Sequence, residues 1–337
     1  MRKPDYTQLL KVLNKQVPDR PVMFEFFLNG NLHDILDNGD APMRGDGFDN
    51  FRKNIYAYRN AGYDFVTTHA SNFGFHYGKH DHKKTKSAND GAVITDWQSY
   101  EAYKWPTPSE CDFTQMKTCE KDLPEGMKYM IYGPNGVLEN VINLTGFENL
   151  CGMIYDEPEL AQRIFDDVGS RLVEYYELII ERDSVCALMS NDDWGFKTQT
   201  MLSPDHMRQY VIPWHKKIAA VAHKHGKPVM LHSCGMLDHV MDDIIDDIKY
   251  DGKHSFEDVI QPIEDAYERY KGRIALLGGI DVDFVCTKTP DEIAARSRAM
   301  LERASIDGGY ALGTGNSVPY YVPVENYMAM IDVVRKG

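Results

Sequence analysis

Pro228-Val-Met-Leu-His-Ser-Cys-Gly235 is the stretch around which the chain is organised. Val229 to Leu231 form a short apolar run of the kind that becomes a buried strand, and the run ends in His232, Ser233, Cys234 and a glycine. His232 and Cys234 are two apart, so an extended backbone points both side chains to one side. Imidazole and thiolate are a ligand pair that zinc prefers. The plainer reading makes Cys234 an inert core residue and His232 a satisfied core histidine. On spacing alone the two readings are evenly matched, and the rest of the chain has to choose.

A chain of 337 residues has room for one large core or two smaller ones. With 43% hydrophobic and 26% charged residues it has the composition of a globular protein. A net charge of −14 argues against a nucleic-acid surface, which needs a basic patch. No apolar run approaches the roughly 20 residues that span a bilayer. Met1-Arg-Lys-Pro-Asp-Tyr6 leads into helix-like sequence without the apolar region of a signal peptide. The cysteines (111, 119, 151, 186, 234 and 286) are scattered, as expected in a reducing cytoplasm.

Short apolar or β-branched runs alternate with longer segments of helical period, the signature of βα units and a parallel sheet. The expected strands are Pro21–Phe27, Asp64–His69, Tyr129–Gly133, Cys186–Asp192, the opening stretch, Gly252–Phe256, Ile274–Gly278 and Tyr310–Gly315. Leu160, Ile164, Phe165, Val168, Leu172, Tyr176 and Ile179 recur at helical spacing. Ser203-Pro204 caps a helix that runs to Gly226, and Pro213 should kink it. Thr289-Pro-Asp-Glu292 is a capping box. Eight strands with intervening helices predict an α/β fold, a (β/α)₈ TIM barrel, as a single domain over 1–337. The gap at about 71–127 is too long for a bare loop and reads as an insertion between strands two and three at the catalytic face. Its histidines His76, His80 and His82 read as solvated, because neighbouring lysines repel a metal cation.

Catalytic groups of such barrels sit at the C-terminal ends of strands. Those ends carry Glu25, His69, Asn135, Asp192 and Asp193, His232 and Cys234, His254 and Glu257, Asp281, and Asn316. So many polar strand ends raise the metal reading above the plainer one. Single residues keep plainer roles: Asp192, Asp193 and Asp281 as helix caps, and Glu257 as an ion-pair partner of Lys253 or Lys288. A catalytic zinc normally has three protein ligands and an open position. The third ligand is open among Asp193, Glu25, His69 and Glu257. Zinc would hold a substrate sulfur or oxygen as its anion, the chemistry needed for methyl transfer to or from a corrinoid. We expect metal ligation by His232 and Cys234, catalytic roles for Asp193, Glu25, His254, Glu257 and Asn316, and cofactor contacts from His69, Asn135, Asp192 and Asp281.

The chain resembles the uroporphyrinogen decarboxylase superfamily, which includes zinc- and corrinoid-dependent methyltransferases. The marks are Arg20-Pro-Val22, Tyr132-Gly-Pro134, Leu202-Ser-Pro204, Leu231-His-Ser-Cys-Gly235, Leu277-Gly-Gly-Ile-Asp281, Gly315-Asn-Ser-Val318 and Pro323-Val-Glu-Asn326. The resemblance covers essentially the whole chain and implies a barrel with a deep cleft at the strand C-termini. The decarboxylases carry an arginine-rich segment where this chain has Phe26-Phe-Leu-Asn-Gly30, and an aspartate where it has Ser71. Their tyrosine falls on Asn140 and their histidine on Asn316. The methyltransferase branch has a His-x-Cys pair that His232 and Cys234 match, and a later cysteine that falls on Asn316. Asp192-Asp-Trp-Gly195 and His254-Ser-Phe-Glu-Asp258 look like marks of a subgroup.

The leading expectation is therefore a cytoplasmic methyltransferase with zinc, working on a small-molecule substrate with a corrinoid carried by a partner protein. Asp193 or Glu25 would complete the metal site. Exposed loops after the first two strands would serve either a homodimer or the docking of a corrinoid domain. The alternatives are a cofactor-free decarboxylase of uroporphyrinogen or a related porphyrinoid, and a non-catalytic barrel that binds a corrinoid or small molecule.

Overall fold

The computed structural model describes residues 2–78, 89 and 91–336, so His80 and His82 lie outside the described residues. Seven parallel strands pair in chain order: β1 (Phe65–Thr68), β2 (Lys128–Tyr132), β3 (Val185–Asn191), β4 (Val229–His232), β5 (Gly252–His254), β6 (Ala275–Leu277) and β7 (Tyr310–Ala311). Each falls inside or within a residue of its expected run. Pro21–Phe27 is a correction to the expected eight. It forms no strand ladder and meets the last strand only through a bridge from Met23 to Leu312. Phe24 N donates to Leu312 O at 2.8 Å, and Leu312 N to Val22 O at 2.8 Å. On the β1 side, side chains replace a ladder. The Thr67 hydroxyl reaches the Phe26 carbonyl, and the Tyr58 hydroxyl lies 2.7 Å from Thr67 Oγ1. The Phe26 carbonyl is thus satisfied without strand pairing.

The two faces of the sheet bury separate cores, as the period of two requires. Val66, Leu188, Val229, Leu231 and Leu276 point out against the helices. Phe65, Met130, Ala187, Met189, Met230, Ala275, Leu277 and Ala311 point in. The curled sheet thus has an interior, and Leu9, Val12 and Leu13 of the helix Tyr6–Leu13 pack into it. Continuing the inward parity to the strand C-termini brings His232 and His254 to the same rim. Each fully buried Val, Leu, Phe or Met side chain of these cores contributes about 1.5–3 kcal/mol.

Between β1 and β2 the chain forms the helices Trp97–Ala102 and Thr114–Cys119. The helix expected from Ser203 to Gly226 is interrupted. Pro204–His206 is followed by a wide π-type turn, Met207–Val211, and regular helix resumes over Ile212–Lys224. Pro213 lacks the N–H that would bond back to Gln209, which accounts for the widening.

The loop after β3 is fixed by Asp192. Its carboxylate accepts from Leu138 N (3.0 Å) and Glu139 N (2.9 Å) at the start of the helix Val137–Thr145. It also accepts from Trp194 Nε1 (2.9 Å) and contacts His215 Nε2 (2.8 Å). A Cβ at Gly136 would stand 2.0 Å from the Asp192 Cβ, so the approach demands glycine. His215 and Asp192 are fully buried, so this cluster is a structural clamp. Replacing Asp192 by alanine strands several buried donors at about 1–3 kcal/mol each. We expect Asp192→Ala to lose about 4 kcal/mol or more in urea unfolding; a loss below about 1 kcal/mol would show that the clamp is dispensable.

Candidate metal centre

A cavity of about 540 Å³ opens at the C-terminal rim of the sheet. Its walls include Phe26, Phe27, Phe73, Phe75, Tyr77 and Tyr132, and its polar edge includes His69, Asn135, Glu139, Asn191, Asp193 and Asn316. His232 and Cys234 also line it. His232 ends β4, and Cys234 follows on a loop whose backbone N–H donates to Asp193 Oδ1 at 2.9 Å. Gly195 N in turn donates to Cys234 O at 3.1 Å. A Cβ on Gly235 would come within 2.2 Å of the Gly195 backbone, so the two loops touch chain to chain.

Three donor atoms converge here. His232 Nε2 is 3.9 Å from Asp193 Oδ1 and 3.9 Å from Cys234 Sγ, and ligand atoms of all three residues lie within 4.8 Å of one another. Tetrahedral zinc with these donor types separates its ligands by roughly 3.3–3.6 Å, so the two 3.9 Å separations would have to close by about half an ångström.

The protonation pattern prepares the imidazole. His254 Nε2 is 3.1 Å from the Thr314 carbonyl, which only accepts, so that nitrogen carries the proton. His254 Nδ1 is then a bare acceptor, and His232 Nδ1 at 2.7 Å donates to it. His232 Nε2 is left with a free lone pair facing Asp193 and Cys234. Burial keeps both rings neutral: it holds His254 down at about 3, and it holds His232 well below the ordinary histidine range, helped by the neighbouring His254 and Lys253. An oriented, neutral imidazole with a fixed second nitrogen is what metal ligation requires.

The remaining groups are arranged around this pair. Burial raises the Asp193 carboxyl, and it pushes the Cys234 thiol well up, with the Asp193 charge adding to it. A bound cation reverses both effects, because it favours carboxylate and thiolate. Asn316 Nδ2 stands 3.4 Å from Cys234 Sγ, and its Oδ1 accepts from Ser317 N at 2.8 Å, so the amide presents N–H to the sulfur. Burial lowers His69 to about 4, and its ring packs 4.0 Å from that of Tyr132.

Six of the expected site residues line the cavity: His69, Asn135, Asp193, His232, Cys234 and Asn316. Five do not. His254 lies one layer back, as partner of His232. Glu25 is fully buried, accepts from Thr314 N (2.8 Å) and Thr314 Oγ1 (2.7 Å), and is not among the residues whose ligand atoms converge on one point. Asp192 is spent on the clamp described above. Asp281 caps the helix Val282–Thr287 and accepts from Asp258 N at 2.7 Å. Glu257 lines other hollows, beside Lys253 and beside Lys288. Sequence reading missed Glu139, whose carboxyl is raised well above its usual range by burial and by Asp193 and Asp192. It sits inside the helix that follows β2 rather than at a strand end.

A sequence profile described as "Uroporphyrinogen decarboxylase (URO-D)" matches residues 130–337, more than half of the chain. The chain belongs to the uroporphyrinogen decarboxylase family. Relatives of this URO-D chain include the uroporphyrinogen decarboxylase of Paraburkholderia phytofirmans, 25% identical over 196 residues, covering 56% of this chain and 50% of that one. That of Anaeromyxobacter dehalogenans is 26% identical over 191 residues, covering 56% and 52%. The chain thus spans about half the length of the curated relatives it matches. A solved methyltransferase from Methanosarcina mazei superposes with a TM-score of 0.70 at 16% identity, covering 99% of both chains, and shows the same fold.

Burial lifts Glu25 from 4.5 to about 8. Across that window the unfolded chain has released a proton that the native chain keeps. The stability of the neutral carboxyl is therefore full below the unfolded value and lost as pH rises toward the folded one. The unfolding free energy of the wild type, from urea titrations, should fall between mildly acidic pH and pH ~8 by about 3 kcal/mol, and Glu25→Gln should flatten that slope. Equal slopes in the two proteins would place the proton elsewhere.

Proposed function

We propose that this URO-D family protein is a zinc-dependent methyltransferase acting with a corrinoid carried by a partner protein. The convergence of Asp193, His232 and Cys234 around one point at the cavity floor carries the reading. In this reading Asp193 supplies the third ligand. It stands beside the site where a cysteine of the methyltransferase branch would fall on Asn316, and a carboxylate oxygen is an accepted zinc donor. Zinc held there would lower the pKa of a substrate sulfur or oxygen and present it as a nucleophile. The protein's own groups do the rest. His254 and Thr314 keep His232 Nε2 unprotonated, the aromatic wall from Phe26 to Tyr132 keeps water from the substrate, and Glu139 offers a carboxyl at the edge. The architecture that fits this reading is a single TIM-barrel-like domain, seven laddered strands with the Pro21–Phe27 segment standing between its ends, and the chain between β1 and β2 inserted over its mouth. No helix among the described residues is long and apolar enough to cross a membrane.

Metal analysis of the purified protein tests this. We expect about one zinc per chain in the wild type, and at least about a tenfold loss of affinity in Cys234→Ala and in Asp193→Ala. Unchanged zinc content in Cys234→Ala, or none in any of the three, would sink the metal role. A methyl-transfer assay with methylcobalamin then reads the activity.

The second reading is porphyrinogen decarboxylation, favoured by the names of the curated relatives. Among the described residues the cavity is lined by no lysine or arginine, and a polycarboxylate substrate needs several. Conversion of uroporphyrinogen to coproporphyrinogen by the purified protein would overturn our preference.

A further inference from the structure

Lys253 and Ser255 lie behind the Cys234 sulfur and belong to neither the ligand triad nor the main cavity wall. Lys253 is on the outward face of β5, only 4% exposed, with its Nζ 4.1 Å from the centre of the Phe256 ring. It forms no ion pair among the described residues. Among the described residues its Nζ makes one hydrogen bond, to the Ser255 carbonyl at 2.6 Å. An ammonium buried at such desolvation cost is held for something.

Ser255 is what it holds. This residue has φ +136°, a region that side chains avoid, and it is buried. Two contacts pin it there: Lys253 on its own carbonyl, and Phe256 N donating to Gly315 O at 2.9 Å. The strained backbone sets Ser255 Oγ 3.4 Å from Cys234 Sγ. From β7's side, Asn316 Nδ2 reaches the same sulfur at 3.4 Å. When the sulfur is a thiolate it can only accept, so both groups donate to it.

We propose that Lys253 and Ser255 are positioning residues for the Cys234 sulfur. The buried ammonium keeps Ser255 in its strained conformation, and the serine hydroxyl, together with the Asn316 amide, draws electron density from the thiolate. A thiolate that accepts two hydrogen bonds gives less charge to its metal, which stays the stronger Lewis acid. The role of the metal rests on the zinc reading above; the hydrogen bonds stand without it.

The test uses the full-length protein loaded with Co²⁺ in place of zinc and follows the sulfur-to-cobalt charge-transfer band. Removing a donor raises the sulfur lone pair, so Ser255→Ala should move the band to lower energy. Lys253→Met should move it in the same direction, and should add nothing in the Ser255→Ala background. Lys253→Gln, which keeps an N–H donor, should restore most of the wild-type position. A folded Lys253→Met protein with the wild-type band overturns the proposal, as does a shift fully additive with that of Ser255→Ala. If Lys253→Met does not fold, Ser255→Ala alone decides, and an unchanged band overturns the proposal. Failure of the wild type to take up cobalt contradicts the zinc reading instead. Iodoacetamide labelling of Cys234, resolved by mass spectrometry at fixed pH, then provides the readout. It should be at least about twofold slower in Ser255→Ala, and equal rates overturn the proposal.

Discussion

The carbonyl oxygen of Thr314 decides the state of the site. A carbonyl can only accept, so it fixes the proton on His254 Nε2, which fixes the proton on His232 Nδ1, which leaves His232 Nε2 bare toward Asp193 and Cys234. The order holds because burial keeps both rings neutral; a protonated ring would break the chain at its centre. Thr314 is itself held by the buried Glu25 through its N–H and hydroxyl. The arrangement therefore runs from the Pro21–Phe27 segment, through the chain that follows β7, to β5 and on to β4.

Strand positions and the rim were legible because a parallel sheet writes itself as short apolar runs, and the side-chain period of two sends His232 and His254 the same way. What strand-end reading lacks is depth. Glu25 and His254 end strand-like runs as clearly as His232 does, yet neither lines the cavity: one is buried against Thr314 and the other backs His232. Asp192 and Asp193 are neighbours whose carboxylates part company, one into a buried clamp and one into the cavity, and no spacing rule separates them. Asp281 took the capping role that its position before a helix already allowed. Glu139 was invisible because it comes from within a helix, brought to the rim by Asp192's hold on the helix start. Pro21–Phe27 looks like a strand in sequence, but tertiary side chains satisfied its carbonyls before a partner strand did.

Family and chemistry separate in this chain. The chain belongs to a family named for decarboxylation. The groups that meet in the cavity are an imidazole, a thiol and a carboxyl set among aromatic rings. Physical chemistry attaches to those groups, not to the sheet that presents them.

The backbone contact between Gly195 and Gly235 has a mechanical consequence. Asp193 and Cys234 sit on loops from different strands, but with no side chain between those loops and hydrogen bonds running both ways across the contact, they behave as the jaws of a single caliper. The gap they span is set by two main chains in van der Waals contact, the stiffest spacer a protein can build. Side-chain rotamers contribute only the final approach. The spacing between the Asp193 and Cys234 side chains is therefore set by backbone, and a wider or narrower jaw would require a change at these glycines before any change at the side chains they carry.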